Sequence, residues 1–152
     1  MSSAHTRASK IIYDLVQVHR ERIEDYRQAL IASGPDLKDI LGDMIRQSSQ
    51  YQQELTDSVS GPEPDSNPVN QKNKKKGNVY STWVRTKVPI GGDNIKSILE
   101  SCKAEMEAVQ YAYIAALSIS ESVEAVIQRL IETQFYGIKS TMDSIEQYHD
   151  AL

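Results

Sequence analysis

The stretch 94–118, NIKSILESCKAEMEAVQYAYIAALS, constrains the fold most, because its apolar residues recur at a single period. Ile95, Ile98, Leu99, Cys102, Met106, Val109, Ala112, Tyr113 and Ala116 follow one another at three- and four-residue steps, which on an α-helix puts them in one stripe. No Gly or Pro interrupts it, and Gly91 and Gly92 with Asp93 supply a break before it. A stripe that wide has to be covered by other helices.

The rest of the chain supplies them. Residues 8–33 read as a first helix, with Ile12, Leu15, Val16, His19, Ile23, Tyr26 and Leu30 inward. Gly34 and Pro35 stop it, Gly34 being able to take a left-handed cap and Pro35 being unable to continue a helix. Residues 36–58 form a second helix with Asp36 as its cap and Leu37, Ile40, Leu41, Met44, Ile45, Ser48, Tyr51 and Leu55 inward. Residues 59–93 are a crossover. It opens on Pro62, Pro64, Pro68 and the run QKNKKK, and 79–88 is apolar enough for a short helix or packed strap that Trp83 pins to the rest. A fourth long helix over 121–150, with Ser118 and Glu121 at capping-box spacing, turns Val123, Val126, Ile127, Leu130, Gln134, Ile138, Met142, Ile145 and Tyr148 inward. Short, long and short connections between four amphipathic helices suit a bundle whose second and third helices run parallel. The expectation is an all-α, single-domain fold.

Composition narrows the classes of function. No run approaches the ~20 apolar residues that span a bilayer, so no membrane span is expected. MSSAHTRASK lacks the apolar centre of a secretory signal, which makes the cytoplasm the expected compartment. A net charge of −4 argues against general affinity for nucleic acid. Lys72, Lys74, Lys75, Lys76, Arg85 and Lys87 are read as a solvated linker and its edge. Cys102, the single cysteine, sits on the apolar stripe and reads as a small buried hydrophobe. Eight tyrosines against one phenylalanine suggest seams where a second subunit packs, so a homodimer is expected.

The inward-phased polar groups are His19, Ser48, Glu105 and Gln134. Buried polar groups must bond one another or cost about 1–3 kcal/mol each, so the set reads as a hydrogen-bonded core that fixes helix register. The competing reading makes His19, Glu105 and Gln134 ligands of a reduced metal site. Glu146 and His149 have Glu-x-x-His spacing but flank the inward residues Ile145 and Tyr148, which turns them aside. Glu21, Glu24, Glu54 and Glu132 are likewise placed on flanks.

Trp83 ahead of ILESCKAEMEAVQYAYIAAL resembles a bacterial family of ferritin-like four-helix proteins of unknown function, through Ile98, Leu99, Cys102, Tyr113, Ala116 and Leu117. ERIEDYRQA in helix one and Gln134 in helix four extend the resemblance to most of the chain. It implies a ferritin-like four-helix bundle with a crossover helix. In that register the family's two helix-three glutamates fall on Lys103 and Met106, and its helix-four histidine falls on Met142. The expected function is therefore a non-catalytic structural or protein-interaction module without an intact di-metal centre, without a cofactor. The alternative is a metal-binding or redox bundle that holds iron or manganese in a reduced core site.

Overall fold

The computed structural model describes residues 3–59, 77–119 and 124–152, with side chains from residue 8 onward. The described residues are all-α, without a strand: α1 (Ser3–Ala32), a 3-10 turn (Pro35–Leu37), α2 (Lys38–Asp57), the short α3 (Asn78–Thr86), α4 (Ile95–Ile119) and α5 (Ala125–Asp150). No helix among them is long and apolar enough to cross a membrane. The lysine run at 72–76, Pro62, Pro64, Pro68, Glu121 and Val123 lie outside the described residues.

Side-chain bonds between helices set their directions. Arg22 meets Glu105 and His19 meets Tyr113, so α4 runs against α1. Gln47 bonds Thr141 and Gln134 reaches Glu54, so α5 runs against α2. Lys103 meets Glu146 and Tyr113 meets Gln134, so α5 also runs against α4. With α1 and α2 joined by a tight turn, α2 and α4 point the same way, and the connection between them has to travel the length of both. The four long helices thus ring one core, whose members include Ile12, Leu41, Val109 and Ile138.

Boundaries differ from the sequence reading where local chemistry differs. The first helix starts at Ser3 rather than 8. Gly34 is extended, with φ −78° and ψ −179°, so no left-handed cap is used, and neither the turn nor α2 has a side-chain cap bond; Asp36 lies inside the turn. α4 continues to Ile119 with the Ser118 hydroxyl donating to the Ala115 carbonyl, so Ser118 does not open the next helix, which begins at Ala125. Val126 and Tyr148 are exposed rather than inward, and Ile131 takes a core position instead.

α4 has the better-built start. The Asn94 carboxamide oxygen accepts from the Ser97 amide at 2.8 Å, and the Ser97 hydroxyl accepts from the Asn94 amide at 3.1 Å. This reciprocal pair satisfies two of the free amides at a helix N-terminus. Gly92 has no room for a side chain here, since a Cβ would meet the Ser97 side chain and the Ile98 amide.

The short α3 lies across α1 and α4 and is fastened by α1. Asp14 accepts from the amides of Gly77 and Tyr80 at 3.3 and 3.1 Å, a cap supplied from another helix. The Tyr80 hydroxyl donates to Glu21, and Trp83 and Val79 are buried.

Two helical glycines carry a prediction of opposite sign. At Gly137 a Cβ would run into the Tyr51 hydroxyl of α2, whereas at Gly42 it would make only an ordinary contact of 3.6 Å with Arg46. Alanine gains about 1 kcal/mol over glycine in a helix, and overpacking costs about 1–3 kcal/mol. Gly42→Ala is expected to raise the unfolding free energy by about 1 kcal/mol and Gly137→Ala to lower it by a similar amount, both read from urea denaturation.

Candidate functional site

The polar groups that share the core come from all four long helices and form two connected sets. In the first, Arg22 of α1 donates from Nε to Glu105 Oε2 at 2.7 Å, from Nη2 to Glu105 Oε1 at 3.1 Å, and from Nη1 to the Ser48 hydroxyl of α2 at 2.8 Å. The Tyr26 hydroxyl donates to Glu105 Oε1 at 2.6 Å. Both carboxylate oxygens of Glu105 are therefore occupied, and the guanidinium engages them as a fork. Arg22 is 0% exposed and Glu105 1%.

In the second set the Gln134 amide group of α5 donates to the Tyr51 carbonyl at 3.2 Å and to Glu54 Oε1 at 3.0 Å. Its oxygen accepts from the Tyr113 hydroxyl at 2.6 Å. A phenol has one hydrogen, so the 2.7 Å contact of Tyr113 with His19 Nε2 must be donated by the imidazole. His19 is thereby held as the Nε2–H tautomer, and its Nδ1 presents a lone pair that has no hydrogen-bond partner among the described residues.

Burial settles the charges. It holds the His19 imidazole well below its usual pKa, with the neighbouring Arg22 cation adding to the effect. Burial, then Glu105, pushes the Tyr26 phenol well up, and burial does the same to Tyr113. For Arg22 burial acts downward, but the Glu105 charge and the Tyr26 contact outweigh it and the net shift is up. The Cys102 thiol, one turn from Glu105, is pushed up to about 12 by burial and then by that carboxylate, so the thiolate needed for nucleophilic chemistry is disfavoured.

His19, Ser48, Glu105 and Gln134 are all buried, and the structure brings them into one core. Glu105 holds its inward place together with the adjacent Met106, both of them covered. Glu54 is half-buried and reaches into the core through Gln134, so its placement on a flank is corrected in part. Glu146 is exposed and paired with Lys103 at 3.3 Å, and His149 Nε2 lies 3.5 Å from Glu100; neither joins the core set.

Arg22 is the residue that reading the sequence missed. Along the chain it is a charge among charges, yet Leu15, His19, Arg22, Tyr26 and Ala29 follow four- and three-residue steps and are all buried. That periodicity was the available signal.

A dinuclear carboxylate centre needs oxygen donors from several helices turned to one point. Here Glu105 is committed to a guanidinium and a phenol, and the family-register positions hold Lys103, paired with Glu146, Met106, buried, and Met142, whose sulfur contacts the Gln110 amide at 3.2 Å. Among the described residues no three His, Cys, Asp or Glu side chains converge. The residues do not fit that centre. Three surface grooves, of about 200, 270 and 460 Å³, lie between α2 and α5, between α1 and the start of α3, and beside α1 and the end of α3; none is lined by His19, Arg22, Glu105 or Gln134.

No family model, curated protein or solved structure matches the chain.

Proposed function

We propose that the chain is a ferritin-like four-helix bundle acting as a non-catalytic structural or protein-interaction module. In it an internal Arg22–Glu105 ion pair closes the polar part of the core. The observation that carries this reading is the double occupation of the Glu105 carboxylate by Arg22 and Tyr26. A guanidinium supplies fixed positive charge and five donors in a planar fork, which neutralises a buried carboxylate without an ion from solution.

Interaction is then the available chemistry, and a second copy of the chain is the proposed partner. Tyr111 and Ile114, half-exposed on α4 on the side away from its buried stripe, and Tyr136, 63% exposed on α5, support it. Aromatic residues of this kind are enriched at interfaces.

A second reading, a metal-binding or redox bundle with iron or manganese, has one observation in its favour, the free Nδ1 lone pair of His19. Elemental analysis of protein purified without a metal-affinity tag, with melting before and after Fe(II), Mn(II) and Zn(II), separates the two. The structural reading expects substoichiometric metal, an unchanged melting temperature and, in sedimentation equilibrium, a dimer mass. Near-stoichiometric metal with a raised melting temperature would replace it with the second reading, and a monomer would remove the proposed partner.

A further inference from the structure

His19 stands at the centre of the core with its proton on Nε2 and its second nitrogen facing no donor or acceptor among the described residues. A second proton would have to go on Nδ1. There it would create a buried cation whose new N–H has nothing to bond, one helical turn from the Arg22 guanidinium. The groups around the ring offer no compensation. From α2 the Tyr51 ring meets it edge-on at 5.9 Å between centroids, and Glu54 is engaged by Gln134. From α4 Tyr113 already accepts from Nε2, and Glu105 is neutralised by Arg22. From α5 the facing group is Gln134, which does not titrate. From α3 the Tyr80 hydroxyl is turned to Glu21.

We infer that opening of the packed helices is coupled to uptake of one proton at His19 Nδ1, which makes the closed core acid-labile in the range where histidine titrates. The inference goes beyond the module reading and holds whether or not the partner is a second copy.

The direction follows from linkage. A histidine held below its ordinary value of about 6.5 when folded binds its proton more tightly when unfolded, so its stabilising contribution is complete above about pH 6.5 and is lost as pH falls from there toward the folded value. Asp25, partly buried and shifted upward by burial, acts in the opposite sense and does so nearer the carboxylate range. Comparison between variants therefore isolates His19 better than the wild-type curve alone.

Urea unfolding between pH 7.5 and 5.5 tests the coupling. In wild type the unfolding equilibrium constant should rise by up to about tenfold per pH unit below about 6.5. His19→Gln, which keeps a donor for the Tyr113 hydroxyl and cannot ionise, should lose that component, and His149→Gln should keep it. Equal pH dependence in wild type and His19→Gln overturns the inference. Should His19→Gln fail to fold, nitrogen NMR of the wild-type ring decides: an Nε2–H tautomer that persists until the tertiary signals vanish supports the coupling, and a ring that titrates near pH 6.5 with those signals intact overturns it.

Discussion

Replacing Glu105 with leucine is expected to lower the unfolding free energy by about 3–5 kcal/mol, measured by urea denaturation at pH 7.5. The loss comes less from the attraction removed than from what is left behind. Arg22 would stay wholly buried with the Ser48 hydroxyl as its one remaining hydrogen-bond partner from the set, and the Tyr26 hydroxyl would lose its acceptor. The guanidinium cannot shed its proton to relieve this at any ordinary pH. A loss under about 1 kcal/mol, the range of solvent-exposed pairs, would mean that water reaches the pair and that the core is looser than described.

Trp83→Ala is the second large effect, expected at about 3–5 kcal/mol. Trp83 is 0% exposed although it belongs to a nine-residue helix, too short to be stable by itself, so its side chain is the main apolar anchor of the crossover on α1 and α4. Its ring also carries Lys87 Nζ, 4.6 Å from the ring centroid. Tyr80→Phe makes the comparison, since it keeps the ring and removes the hydroxyl bond to Glu21, and is expected to cost about 1 kcal/mol. If the two variants lost equal stability, polar fastening rather than the buried indole would be holding α3 in place.

The parts of this molecule legible in its sequence are those where one period dominates. The stripe from Leu99 to Ala116 is buried as spaced, and so is most of the α1 stripe, because apolar residues at three and four have one low-energy arrangement in a helix. Helix ends were less legible. Ser118 and Glu121 have the spacing of a cap, but the small and apolar run before Ser118 lets α4 continue to Ile119. Val126 is one residue, about 100° of helix, from the buried Ile127, and Tyr148 lies to one side of the stripe that runs through Ile131, Ile138 and Ile145, so both fall beyond the covered face of α5.

The polar core was half legible. His19, Ser48, Glu105 and Gln134 are in phase and could be named singly, but what joins them could not be seen along the chain. Arg22 and Glu105 are separated by 83 residues, and Tyr113 and His19 by 94. A charged side chain in an inward phase carries no signal of whether it is buried until its partner is known, which is why a candidate metal ligand and a structural carboxylate looked alike.

Arg22, Glu105, Ser48 and Tyr26 bond one another and close this part of the core among themselves. The most direct test compares Glu105→Leu with a variant that carries Glu105→Leu, Arg22→Met, Ser48→Ala and Tyr26→Phe together, by urea unfolding of both beside wild type. If the set is self-contained, removing every polar member at once leaves no orphan, and the fourfold variant should recover most of the about 3–5 kcal/mol lost by the single one. A fourfold variant no more stable than Glu105→Leu would contradict that closure, since something outside these four residues would then depend on their charge.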